Sequence, residues 1–153
     1  MSIHISISNE VFSKFPGYCR GVVIARDISN GDSPDELVAA LRSGENTLRL
    51  QIPAENIAAH PKIESWREAY RSLGVKPSEY RPSVESLVRR VVKKDPLPSI
   101  SRIVDLGNLA SIQNLVPIGA HAIDVLTRDI ELRFANGEEL FEAFVSDTVE
   151  HPL

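Results

Sequence analysis

One histidine in this chain stands where an imidazole could act on a substrate. His121 lies in the run Pro117-Ile118-Gly119-Ala120-His121-Ala122-Ile123-Asp124, just after an apolar stretch. Proline and glycine punctuate this backbone, so the residues predict a turn and not a helix face. A ring presented from a turn can orient a water or carry a proton, because its pKa lies near neutrality. Gly119 and Ala120 could aim backbone N–H groups at a carbonyl oxygen, since glycine allows close approach. The competing reading is a structural one, in which the ring of His121 bonds a nearby carbonyl. Asn108 also has two readings: its amide meets a substrate amino group, or it caps the helix that Leu109 begins.

A second group of side chains carries charge. Arg89, Arg90, Lys93 and Lys94 could meet RNA phosphates as forks and point charges. The same residues near a helix end also complement the helix dipole and keep a surface solvated. The net charge of −4 favours the solvated face, though it leaves room for a local basic patch. Arg81, between Tyr80 and Pro82, reads as one half of a fixed ion pair. Trp66 and Tyr70, one turn apart, read as core. His4, His60, His121 and His151 lack metal-ligand spacing, so no metal is expected. Nor does a glycine-rich phosphate loop or a nucleophile-elbow pattern frame any serine. The expectation is a protein without a cofactor. A single cysteine, Cys19, excludes an internal disulfide and reads as a small buried thiol.

Certain elements must hold these residues. Ile3, Ile5 and Ile7 alternate as a half-buried strand. Phe15-Pro16-Gly17 makes a turn, and Tyr18 to Ile28, rich in β-branched residues, predicts a central strand. Ser33-Pro34-Asp35-Glu36 predicts a helix start, with Ser33 as cap and Glu36 closing a capping box. Gly44 is a point of interruption in that helix. His60-Pro61 opens another helix, with Ile63, Trp66, Tyr70 and Leu73 on one face and Gly74 as its stop. Pro77 and Pro82 bracket an extended segment. Ser83 caps a further helix whose Val84, Leu87, Val88, Val91 and Val92 form a continuous apolar stripe. Pro96 and Pro98 end it. Ile100 to Leu106 predicts a short strand, and Asn108 to Val116 a helix. Ile130, Leu132 and Phe134 alternate ahead of Asn136-Gly137, a favourable hairpin turn. The chain then runs through Phe141 and Phe144.

The bulk numbers fit one domain. A length of 153 residues supports a real core, and 42% hydrophobic with 25% charged residues is ordinary globular composition. No apolar run reaches membrane-spanning length, and no basic segment leads into a long apolar one at the start. A cytoplasmic location without a membrane partner is the expectation. Neither repeat, linker nor low-complexity tract divides the chain, so residues 1–153 predict a single α+β domain.

Several segments together resemble a known family. They are Trp66-Arg67-Glu68-Ala69-Tyr70, Gly74-Val75-Lys76-Pro77, Tyr80-Arg81-Pro82-Ser83-Val84-Glu85, Arg89-Arg90, Leu97-Pro98-Ser99-Ile100, Val104-Asp105-Leu106, Asn108 and Pro117-Ile118-Gly119-Ala120-His121. They are similar to the B3/B4 domain of the phenylalanyl-tRNA synthetase beta subunit, in its stand-alone form. The likeness is dense over the middle third and weaker over Val22 to Asp27. It implies mixed or antiparallel sheets with flanking helices. It also implies an editing-type pocket that takes the aminoacyl end of tRNA and hydrolyses the ester of a wrongly attached amino acid. Asn108 and His121 match two positions of the family pattern, and the family histidine lies in the editing pocket. Those two residues, with Gly119 and Ala120, are therefore the expected substrate site, and Arg89, Arg90, Lys93 and Lys94 the expected RNA contacts. The family's editing glutamate has no match here, and relatives continue beyond the point corresponding to residue 153. A truncated or divergent short member is thus expected. The alternative function is a non-catalytic module that binds an amino acid or RNA.

Overall fold

The computed structural model describes residues 3–142 and 149–152, and divides into two compact units, Ala25–His121 and Met1–Ile24 with Ala122–Leu153. In chain order the elements are β1 (Ile5–Ile7), α1 (Asn9–Lys14), α2 (Asp35–Gln51), a short 3-10 turn (Ala54–Asn56), α3 (Pro61–Ser72), α4 (Ser83–Val92), α5 (Arg102–Asn114), β2 (Ile130–Leu132), β3 (Phe141–Glu142) and β4 (Val149–Glu150). Helices and short strands together make the class α+β. Phe144 lies outside the described residues.

The unit Ala25–His121 is helical. Its core is built from Leu41 and Leu48 of α2, Ile63 of α3, Val84, Val88 and Val91 of α4, and Leu109 and Ile112 of α5. Each such side chain contributes roughly 1.5–3 kcal/mol by leaving water. Helix α2 packs chiefly on α5 and then on α4. Gly44 sits at the tightest point: a Cβ there would lie 2.9 Å from Leu109 Cδ1. The glycine thus brings two backbones together instead of interrupting α2, which runs straight through it.

Helix starts differ from the sequence reading. α3 opens at His60-Pro61 as expected, and His60 caps it, its Nδ1 accepting from Lys62 N at 3.3 Å. Ser33 does not cap α2. Pro34 is the residue before that helix, and the Ser33 hydroxyl donates to Asp105 Oδ2 at 2.6 Å. Ser83 is likewise the first residue of α4, after Pro82. The expected strand Ile100 to Leu106 is instead the start of α5, which begins at Arg102. Asn108 is therefore inside the helix and not its cap.

Three helices end in the same left-handed turn, yet only one uses glycine. After α3, Gly74 has φ +77, with Val75 N donating to Tyr70 O at 3.0 Å. After α4 the same place is Lys94, φ 68, with Asp95 N donating to Arg90 O at 3.2 Å. After α5 it is Leu115, φ 55. This geometry satisfies the orphan carbonyls but costs a residue with a Cβ about 1 kcal/mol. Lys94→Gly is therefore expected to raise stability by about 1 kcal/mol in urea unfolding. An unchanged midpoint would mean that Lys94 carries no strain. The turn at Lys94, earlier than Pro96 and Pro98, is what stops α4.

In the other unit, β1 pairs with β2 in parallel, Ile5 opposite Ile130 and Ile7 opposite Leu132. His4 N donates to Asp129 Oδ1 at 2.9 Å and Ser8 N to Leu132 O at 2.9 Å, extending the pairing at both ends. β3 pairs antiparallel with β4. Asn136-Gly137 does turn, Asn136 Oδ1 accepting from Glu138 N at 3.0 Å, but it does not join a hairpin. β2 is already taken by β1. The predicted strand Tyr18 to Ile28 is irregular, and its residues from Gly21 onward are exposed. Cys19 is exposed as well and not buried. Among the described residues, no helix is long and apolar enough to cross a membrane.

Candidate nucleic-acid interface

Helix α4 has two chemically distinct sides. Val84, Val88 and Val91 are sealed in the core. On another side, Ser86, Arg89, Arg90 and Lys93 follow one another at i, i+3, i+4 and i+7, and so share one face. Arg81 before the helix and Asp95 after it complete the rim of an open hollow of about 490 Å³. Lys94 is exposed beside it in sequence, and does not line it.

The cations differ in how they are held. Glu85 is fully buried and accepts from Arg67 Nη1 at 2.9 Å on both oxygens. It also accepts from Arg89 Nε at 2.8 Å. One carboxylate thus faces two guanidiniums. Arg67 also approaches Glu64 at 3.7 Å, and Arg71 closes on Glu64 at 2.8 Å. Counting Glu64 and Glu85 against Arg67, Arg71 and Arg89 leaves this network one unit positive. Arg89 is held to Glu85 by its Nε and also lines the hollow. Arg90 Nε donates to Pro96 O at 3.3 Å. Among the described residues, no carboxylate pairs with Arg81, Arg90, Lys93 or Lys94. Arg81 is exposed and lines the hollow, and among the described residues the fixed ion pair expected of it is not formed.

The remaining predicted site residues lie elsewhere. Pro117 to His121 has no regular secondary structure, as its composition predicts. Gly119, Ala120 and His121 are all exposed. Among the described residues, no hydrogen bond or ion pair holds the His121 ring. Asn108 is half-buried within α5. None of these four lines the hollow on α4 or a further one along α2 and α5. This further hollow, about 270 Å³, lies between Ala40, Ser43, Gly44, Thr47, Leu48, Gln51, Ile112 and Gln113. It has no charged side chain to meet an amino acid's ammonium or carboxylate group.

Two further buried carboxylates went unread in the sequence. Asp105 accepts from the hydroxyls of Ser33 and Ser99 and from Ile100 N at 3.0 Å. Burial pushes its carboxyl up, but the two hydroxyls, the Ile100 N–H and the nearby Arg42 charge together hold it below the usual carboxylate range. Glu45 accepts from Arg42 Nη1 at 2.6 Å and from Leu97 N at 2.8 Å. Arg42 Nη2 in turn donates to Leu97 O at 2.7 Å. Asp105 and Glu45 thereby pin the connection between α4 and α5 and fix where Asp95 and the rim of the hollow fall. The motif segments hold a signal for the Glu85 and Asp105 arrangements, since Arg67, Glu85, Ser99 and Asp105 all belong to them, but Glu45 and Arg42 lie outside them.

The helical unit carries a basic hollow on one helix, which gives this α+β chain a local cationic face. A family model for the B3/4 domain matches residues 65–152, more than half of the chain. The chain belongs to the B3/4 domain family. Domains of this family occur in phenylalanyl-tRNA synthetase beta subunits, which supports a tRNA-related role. No curated protein matches the chain, and no solved structure does.

Proposed function

We propose that this chain is an RNA-binding module that engages tRNA through the basic face of α4. The observation that carries the reading is the hollow framed by Arg81, Arg89, Arg90 and Lys93 on a chain of net charge −4. An acidic protein that gathers four cations round one concavity has concentrated its positive potential where a phosphate chain can meet it. Arg89, anchored on Glu85, supplies a preorganised fork, while Arg90, Lys93 and the adjacent Lys94 add adaptable charge.

Binding is favoured over ester hydrolysis. A hydrolytic site must hold a water against a bound ester and shelter an oxyanion. His121, Gly119 and Ala120 are exposed, and Asn108 is set back in α5. The aminoacyl end of tRNA remains the part of the RNA that the B3/4 family points to. Titration of fluorescent tRNA tests both parts of the reading. Arg90→Ala with Lys93→Ala is expected to weaken binding about tenfold or more, each lost phosphate contact removing released counterions. His121→Ala is expected to leave affinity unchanged, and neither protein is expected to speed release of the amino acid from mischarged tRNA. Equal binding by the double variant would overturn the α4 face. Release that depends on His121 would instead restore the editing pocket.

A further inference from the structure

One residue in the hollow does not suit a plain anion site. Arg81, Arg89, Arg90 and Lys93 bring positive charge, and Ser86 brings a hydroxyl that can donate. Asp95 brings a carboxylate to the same rim. Among the described residues it forms no ion pair with these cations. Toward a bare phosphate it is repulsive, and therefore a cost. Its place is not accidental to the chain path. The left-handed Lys94 turns the backbone so that Asp95 N returns to Arg90 O at 3.2 Å, which sets Asp95 against the last turn of α4.

A carboxylate only accepts hydrogen bonds. Its presence among donors fits a ligand with an anionic part and a hydroxyl donor a few ångströms apart. A ribose phosphate has that chemistry, and the 2′-hydroxyl is the group that separates RNA from DNA. A hollow of about 490 Å³ has room for a nucleotide unit as well as its phosphate. We infer that Asp95 accepts a hydrogen bond from a ribose 2′-hydroxyl while the surrounding arginines and Lys93 hold the adjoining phosphate, so that the hollow selects RNA over DNA of the same sequence. This rests on the RNA-binding reading above and adds to it the sugar chemistry of the ligand.

The test compares a short single-stranded ribo-oligonucleotide with its 2′-deoxy counterpart, uracil retained in both, by fluorescence anisotropy. The full chain is used, with Asp95→Asn and Asp95→Ala as variants and circular dichroism melting to confirm folding. The wild type is expected to prefer RNA about tenfold, the scale of one hydrogen bond to a charged group. Asp95→Ala is expected to bring the ratio near one, chiefly by tightening DNA binding as repulsion is removed. Asp95→Asn, which keeps a carbonyl acceptor, is expected to fall between. Equal wild-type affinity for the two oligonucleotides would overturn the inference and leave the α4 face standing. The same holds for variants that tighten both equally, since Asp95 would then only trim charge. No binding of either oligonucleotide would remove the inference and the binding reading together.

Discussion

Glu85→Gln is expected to cost about 3 kcal/mol of folding stability, the lower end of what breaking a buried ion pair from one side typically costs. Glu85 is fully buried, and both of its oxygens are used by Arg67 while Arg89 reaches one of them. The substitution keeps the shape and removes the charge. What it strands is Arg67, whose side chain is 15% exposed, more than Arg89, which at 32% can turn to water. Arg89→Ala should accordingly cost no more than about 1 kcal/mol, as half-exposed pairs do. Urea unfolding measures both. A Glu85→Gln midpoint shifted by less than Arg89→Ala would contradict the ranking. The loss should also reach the basic face of α4, because Glu85 holds Arg89, which lines the hollow.

Asp105→Asn is expected to cost about 2 kcal/mol near neutral pH and to flatten the acid side of the stability profile. The carboxylate serves two hydroxyls and one N–H, and an amide can serve fewer of them, leaving buried donors unpaired. Its folded pKa lies below the unfolded value of about 3.9. The stability it contributes is therefore present in full above that value, and is lost as pH falls from about 4 through the folded pKa. Wild-type protein should weaken across that window more steeply than Asp105→Asn. Unfolding curves at neutral pH and at about pH 3 decide this, and parallel losses in the two proteins would show that Asp105 does not govern the acid limb.

The sequence was most legible where one period dominates. The apolar stripe of α4, the His60-Pro61 start and the Gly74 stop of α3, and the alternating Ile5–Ile7 and Ile130–Leu132 strands each follow from local chemistry alone. Partners were not legible. Ser33 looks like a cap, but Asp105, distant in sequence, recruits its hydroxyl. Asn136-Gly137 looks like a hairpin until β1 claims β2 across the length of the chain. Val22, Val23 and Ile24 have strand propensity, but strand formation needs a neighbour to pair with, and among the described residues no pairing is made there. Ile100 to Leu106 has β-branched residues that suggest a strand, but Ser101 precedes a helix there. The basic face of α4 was legible as a list of charges. That Arg81 joins it, and that Asp95 closes it, follows from how the turn that returns Tyr80 N to Lys76 O and the turn at Lys94 place the chain on either side of α4.

The most direct measurement is tRNA affinity against salt concentration for the wild type and for Arg90→Ala with Lys93→Ala. Logarithm of affinity against logarithm of salt should be linear, with a slope that falls in magnitude by about one for each phosphate contact removed, hence by about two for the double variant. That result would place RNA phosphate on the α4 face. Identical slopes for the two proteins would show that these cations never meet the RNA, and would contradict the account.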